Sequence, residues 1–109
     1  MKNLQEILNN INEAVESYEL LELVDTNKQS EALRKLTSNL FYLEEHRINA
    51  YNDWLTEYYE MPKGTSNAAK EKHCDSTIKE LYMIRRIMTS GYKVADSLRS
   101  TISIYKREQ

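Results

Sequence analysis

Residues 84–108 read IRRIMTSGYKVADSLRSTISIYKRE. Apolar residues recur there at helical spacing, basic residues stand between them, and a Ser-Gly pair sits in the middle. The pattern extends back to Cys74: Cys74, Ile78, Leu81, then Ile84 or Arg85, Met88, Tyr92, Ala95, Leu98, Ile102 and Tyr105 follow one another by threes and fours. That alternation is heptad-like and predicts a long helix over about 67–107 with an apolar seam. Ile87, Val94, Thr101 and Ile104 lie beside the seam and make it wider than that of a two-stranded coil. Gly91 is predicted to be either a point of close approach or a kink, because one glycine destabilises a helix by only about 1 kcal/mol.

Upstream, MPKGTSN at 61–67 holds the single Pro and one of the two Gly residues, a turn in which Ser66 or Asn67 can cap the helix that follows. Before it, a second helix is predicted over about 28–60 with two apolar stripes. Leu33, Leu36, Leu40, Leu43, Ala50 and Trp54 mark one, while Phe41, Ile48, Tyr51, Leu55 and Tyr58 mark the other. A helix apolar on two sides needs neighbours on two sides. A first helix is predicted over about 4–23, with Asn3 as cap and Glu6 reaching back to it. Leu4, Ile7, Leu8, Ile11, Val15, Tyr18 and Leu21 form its apolar face, opposite Glu6, Glu13, Glu16, Glu19 and Glu22.

With two glycines, one proline and no alternating apolar pattern, the chain lacks the turns of a sheet protein, so the fold class is all-α. At 109 residues it fits one domain, a short N-terminal helix on a long antiparallel helical hairpin, three helices in coiled-coil style. Long helices of this kind, about 50 and 60 Å at 1.5 Å per residue, leave apolar stripe uncovered by the short one. Self-association is therefore expected. The competing arrangement breaks the last helix at Thr89-Ser90-Gly91 and folds into a compact four-helix form. The seam expected to pack is Leu40, Trp54, Ile78, Leu81, Met88, Ala95, Leu98 and Ile102.

Forty per cent hydrophobic and 29% charged residues are usual for a helix-rich soluble chain. No apolar run reaches the roughly 18 residues of a membrane span. The opening MKNLQEILNN, interrupted by Asn, Gln and Glu, forms no apolar signal core, so a cytoplasmic address is expected. The lone Cys74 suits a reducing compartment. The net charge of −2 conceals a division: five basic residues against twelve acidic through residue 62, −7, then ten against five, +5. Lys79, Arg85, Arg86, Lys93, Arg99, Lys106 and Arg107 can track a phosphate backbone, with Tyr82, Tyr92 and Tyr105 among them for stacking or for an interface. The plainer alternative is that the basic helix faces the acidic first half and the tyrosines pack. In EEHRINAYNDWLTEYYE, Tyr51, Tyr58 and Tyr59 cannot all share one face with Trp54, so at least one is exposed or at an interface.

Signatures of chemistry are missing. Neither His46 nor His73 follows a Glu three residues back, since Leu43 and Lys70 stand there, and Gly64 and Gly91 are too isolated for a phosphate loop. His73, Cys74 and Asp75 are consecutive and point about 100° apart on a helix, so they do not converge on an ion. Glu44 and Glu45 read as solvated surface. No enzyme, metal site or cofactor is expected.

RINAY at 47–51, EYYE before the turn, and the run ending KVADSLRSTISIYK resemble the recombination mediator proteins of T4-like phages over roughly residues 45–106. The resemblance implies a helical ring-forming protein that binds single-stranded DNA and helps load a recombinase, with Arg85, Arg86, Lys93, Arg99, Lys106 and Arg107 as DNA-facing charges. The chain departs from that pattern in its slightly negative net charge and in its first 40 residues, which show no match. The expectation is an oligomeric phage-type accessory protein that binds single-stranded DNA for recombination or replication. The rival is a helical protein-binding module, such as a phage-encoded inhibitor whose acidic first helix docks on a basic nucleic-acid groove of a host or defence complex.

Overall fold

The computed structural model describes residues 3–18 and 26–108, the side chains of residue 26 and of 105–108 excepted. Helices α1 (Leu4–Ser17), α2 (Thr26–Glu60), α3 (Asn67–Thr77) and α4 (Lys79–Glu108) account for nearly all of them, and no strand occurs among the described residues. The protein is a rod of 64 × 24 × 18 Å. Expectations for residues 19–25, the end of the first helix included, lie outside the described residues.

α1 and α3 start where the sequence supplies a cap. Asn3 Oδ1 accepts the N–H groups of Gln5 at 2.8 Å and Glu6 at 3.2 Å, which satisfies two orphan donors of α1. Glu6 takes part through its backbone N–H and not through a side-chain reach back to Asn3. Ser66 caps α3 by accepting from Ala69 N–H at 3.1 Å. Between α2 and α3 the chain reverses at Pro62–Thr65, where Thr65 N–H donates to the Pro62 carbonyl at 3.2 Å and Gly64 takes φ +89. That left-handed conformation suits a residue without Cβ.

The long last helix expected from the sequence is divided, and not at Gly91. α4 runs unbroken through Gly91, while Ile78, at φ −108 and ψ 66, separates α3 from α4. The β-branched pair Thr77-Ile78 weakens helix propensity by only tenths of a kcal/mol each, so local preference alone does not end the helix. Tertiary contacts act there too. α3 is tied to α2 through Trp54 and Tyr58, and the joint lets α3 meet those rings while α4 keeps its own seam.

α2 runs antiparallel to α3 and α4, as Gly91 against Leu40, Asp75 against Trp54 and Asn67 against Tyr58 require. The buried line of α4 is Leu81, Ile84, Met88, Gly91, Ala95, Leu98 and Ile102, a regular alternation of three and four. The packing settles one alternative of the heptads and corrects one position. Ile84, not Arg85, is the inward residue, and Gly91 takes the seam position that the spacing assigned to Tyr92, which is exposed. A Cβ on Gly91 would lie 2.8 Å from Leu40 Cδ2 and 3.2 Å from Ile11 Cγ2, so glycine is what lets α1, α2 and α4 converge. Leu36, Leu40 and Leu43 of α2 and Ile7, Leu8 and Ile11 of α1 complete this core, and Asn10 Nδ2 donates to Asn39 Oδ1 across the α1–α2 contact at 3.3 Å. Trp54 and Ile78 are only half-buried. α1 covers one end of the hairpin alone.

Candidate nucleic-acid interface

Because the alternating seam turns Leu81, Ile84, Met88 and Gly91 inward, the residues between them must face out. Two lines seven residues apart result: Arg85, Tyr92 and Arg99, and Lys79, Arg86 and Lys93. All six side chains are exposed. Tyr82, 73% exposed, lies between the lines, three residues after Lys79 and three and four before Arg85 and Arg86. On the flank nearer the core, Ile87 and Val94 are half-buried. The outer face of α4 is therefore a basic strip, on the order of 30 Å long from Lys79 to Arg99.

The partners of these cations decide between the two readings of the charge division. Lys79, Arg86 and Lys93 form no ion pair among the described residues, and Arg99 pairs within its own helix, Nη1 to Asp96 Oδ1 at 3.1 Å. Arg85 lies over the Tyr51 ring, 5.7 Å from its centroid. Within one chain, then, the described cations of α4 do not neutralise the carboxylates of α1 and α2. Tyr105, Lys106 and Arg107, named with them from the sequence, have side chains outside the described residues.

Beside Arg85 stands a second group, on the half of α2 that α1 does not reach. Tyr51, Trp54 and Tyr58, spaced by three and four, fall on one line of the helix, and their rings lie nearly parallel. Centroids are 6.2 Å apart for Tyr51–Trp54 and 5.3 Å for Trp54–Tyr58, at interplanar angles of 10° and 17°. Trp54 Nε1 donates to Asp75 Oδ1 at 2.9 Å, the Tyr58 hydroxyl donates to Asn67 Oδ1 at 3.0 Å, and Lys70 lies 5.2 Å over the Tyr58 ring. His73 Nε2 is 3.1 Å from Glu57 Oε2. Nothing in the spacing singled out Lys70 or the role of Arg85 over Tyr51, since both depend on how the hairpin closes.

Arg47, on α2, hydrogen-bonds through Nε to Glu44 Oε1 of the same helix at 2.9 Å, and this bond raises its pKa above the ordinary guanidinium value, against an opposing effect of burial. It is a fixed cation. Burial pushes the Cys74 thiol up, and the charges of Glu57 and Asp75 add to the effect. Cys74 is thus held as a thiol, the weakly nucleophilic form. Among the described residues no three His, Cys, Asp or Glu are grouped to hold a metal ion, and no helix is long and apolar enough to cross a membrane.

Of the second apolar stripe of α2, Leu55 and Tyr58 are half-buried and the rest stays at the surface, where Tyr59 joins it. Phe41 is 65% and Tyr59 78% exposed, and Ile48 and Tyr51 are exposed with them. No protein-family model, curated protein or solved structure matches the chain.

Proposed function

We propose that this chain is a non-enzymatic helical accessory protein, of the kind phages use in recombination or replication, that self-associates and binds single-stranded DNA along the outer face of α4. The observation that carries the reading is the strip of exposed cations around Tyr82, of which Lys79, Arg86 and Lys93 form no ion pair among the described residues. A polyanion is the natural complement of such a strip. The exposed Phe41, Ile48 and Tyr59 supply the apolar surface for a neighbouring copy.

Fluorescence anisotropy of a labelled oligonucleotide, read over a salt series, tests the DNA arm. With five cations on the strip, log K falls with log salt at a slope of about −3.5. Replacing Arg85 and Arg86 by Gln reduces the slope by about 1.4 and weakens binding. Absence of binding at low salt refutes the proposal, because counterion release favours association most strongly there.

The stripe on α2 also favours a second reading, a protein-binding module that engages a foreign partner instead of its own copy. Light scattering separates the two. An assembly that takes up DNA fits the first, whereas a monomer that ignores DNA fits the second. In the second case, charge reversal at Glu13 and Glu16 abolishes capture of a partner with a basic groove.

A further inference from the structure

We propose that the ring column Tyr51–Trp54–Tyr58 is a second part of the same DNA face, a platform on which unpaired bases stack. The inference rests on the reading of α4 as a single-strand binding surface and adds to it the residues that hold bases rather than phosphates. Half-buried aromatic residues at a thin end of a helical rod normally serve packing alone, and packing does account for Trp54 and Tyr58. It does not account for three further features.

First, Tyr51 is exposed, so its ring extends the column without filling a core. Second, each end ring of the column carries a cation, Arg85 over Tyr51 at 5.7 Å and Lys70 over Tyr58 at 5.2 Å, the latter ring also meeting Tyr59 edge-on at 5.7 Å. Those are the charges a nucleotide requires, because its base can take the place above the ring while its phosphate engages the displaced guanidinium or ammonium. Third, Arg85 belongs to both groups. The α4 strip comes up to Tyr51 at this residue, and since α2 is antiparallel to α4, the column continues the strip toward the turn. The path runs from Arg99 through Lys93 and Arg85 to Tyr51, Trp54, Tyr58 and Lys70, within the site size of about 4–16 nucleotides that single-strand binding folds occupy. Two of the rings are held in place before any ligand arrives, Trp54 by Asp75 and Tyr58 by Asn67, so little side-chain freedom remains to be lost. Of the carboxylates nearby, Asp75 accepts from Trp54 and Glu57 is paired with His73.

Trp54 is the only tryptophan of the chain, which makes its emission a direct reporter of the column. The full chain is titrated with a fluorescein-labelled oligo-dT of about 20 nucleotides, long enough for the whole path, and with an abasic strand of equal length that keeps the phosphates and lacks the bases. Anisotropy and Trp54 emission are read together for the natural sequence, Tyr51→Leu and Tyr51→Phe, each checked for unchanged helicity. The expected result is that oligo-dT changes Trp54 emission and the abasic strand does not. Tyr51→Leu then weakens oligo-dT binding about tenfold and leaves abasic binding alone, and Tyr51→Phe behaves as the natural chain. Oligo-dT that binds without changing Trp54 emission, and equally well to Tyr51→Leu, overturns the inference while the α4 strip stands. No binding of either strand at low salt overturns both.

Discussion

The two ends of the rod are built on different principles. Where α1 lies against α2 and α4, three helices enclose an aliphatic core of Ile7, Leu8, Ile11, Leu36, Leu40, Leu43, Ile84 and Leu98, all nearly inaccessible. Where α2 meets α3, two helices cannot surround anything, and the fully buried residues are few and small, Ala50 and Cys74. The second end is held instead by directional contacts, Trp54 on Asp75, Tyr58 on Asn67, His73 on Glu57, and the stack of rings between them. Non-directional burial scales with area, whereas paired polar contacts each add only about 1 kcal/mol net. The first end should therefore carry the stability of the fold, and the second should be free to carry a surface.

Truncating the first end gives the largest effect. Leu40 is 1% exposed and meets the point where Gly91 and Ile11 converge, so Leu40→Ala destabilises the protein by about 3 kcal/mol, the transfer term plus the cavity left behind. Denaturant unfolding followed by helical circular dichroism measures it. A loss below about 1 kcal/mol would show that the three-helix end is loosely packed and would remove the contrast.

Overpacking the same point comes next. Gly91→Val adds a branched side chain where even a Cβ is only 2.8 Å from Leu40 Cδ2, and it destabilises by about 2 kcal/mol through displacement of Leu40 and Ile11. Gly91→Ala is the informative companion. It regains about 1 kcal/mol of helix propensity, set against the same clash, so the thermal midpoint reports whether the end of the Leu40 side chain can move aside.

The same division explains what could be read in the sequence. The three-helix end announces itself by period, since burial on one side of a helix leaves a mark every three or four residues, and Leu36, Leu40, Leu43, Leu81, Met88, Ala95 and Leu98 stand where that mark falls. Period alone does not distinguish two adjacent residues that both fit an alternation of three and four. Tyr92 and Gly91 both fit that alternation, as do Ile84 and Arg85, and only the packing separates them. The break at Ile78 carries no Gly or Pro to mark it in the sequence. Likewise the cations could be placed on α4 from the sequence, but not that Lys79, Arg86 and Lys93 form no ion pair among the described residues, nor the position of Arg85 over Tyr51, which depends on the closure of the hairpin.

A smaller effect is expected from the aromatic end. Trp54→Phe keeps most of the ring surface and removes the N–H that Asp75 accepts, a loss of about 1 kcal/mol in the same unfolding experiment. Native-state hydrogen exchange sharpens the comparison further: amides of α3 should exchange through smaller openings than those of α4 between Ile84 and Leu98, because fewer buried contacts resist them. Equal protection at both ends would mean that the ring column and its hydrogen bonds hold as firmly as the aliphatic core.

The smallest effect is a pH dependence that belongs to the two-helix end. Burial raises the Cys74 pKa in the folded protein above its unfolded value, so between the two values the folded state binds more protons and stability falls as pH rises. The contribution of the thiol is fully present below the unfolded pKa of about 8.5 and is lost as pH climbs through the folded value. Tyrosines and lysines titrate in the same alkaline range, but they are common to the natural chain and to Cys74→Ala. The difference between the two unfolding curves against pH therefore isolates the thiol. The natural chain should lose stability more steeply above about pH 9, with the two curves parallel at neutral pH. Parallel curves throughout would mean that Cys74 meets water in the folded state, and that the two-helix end opens around the one residue it buries most completely.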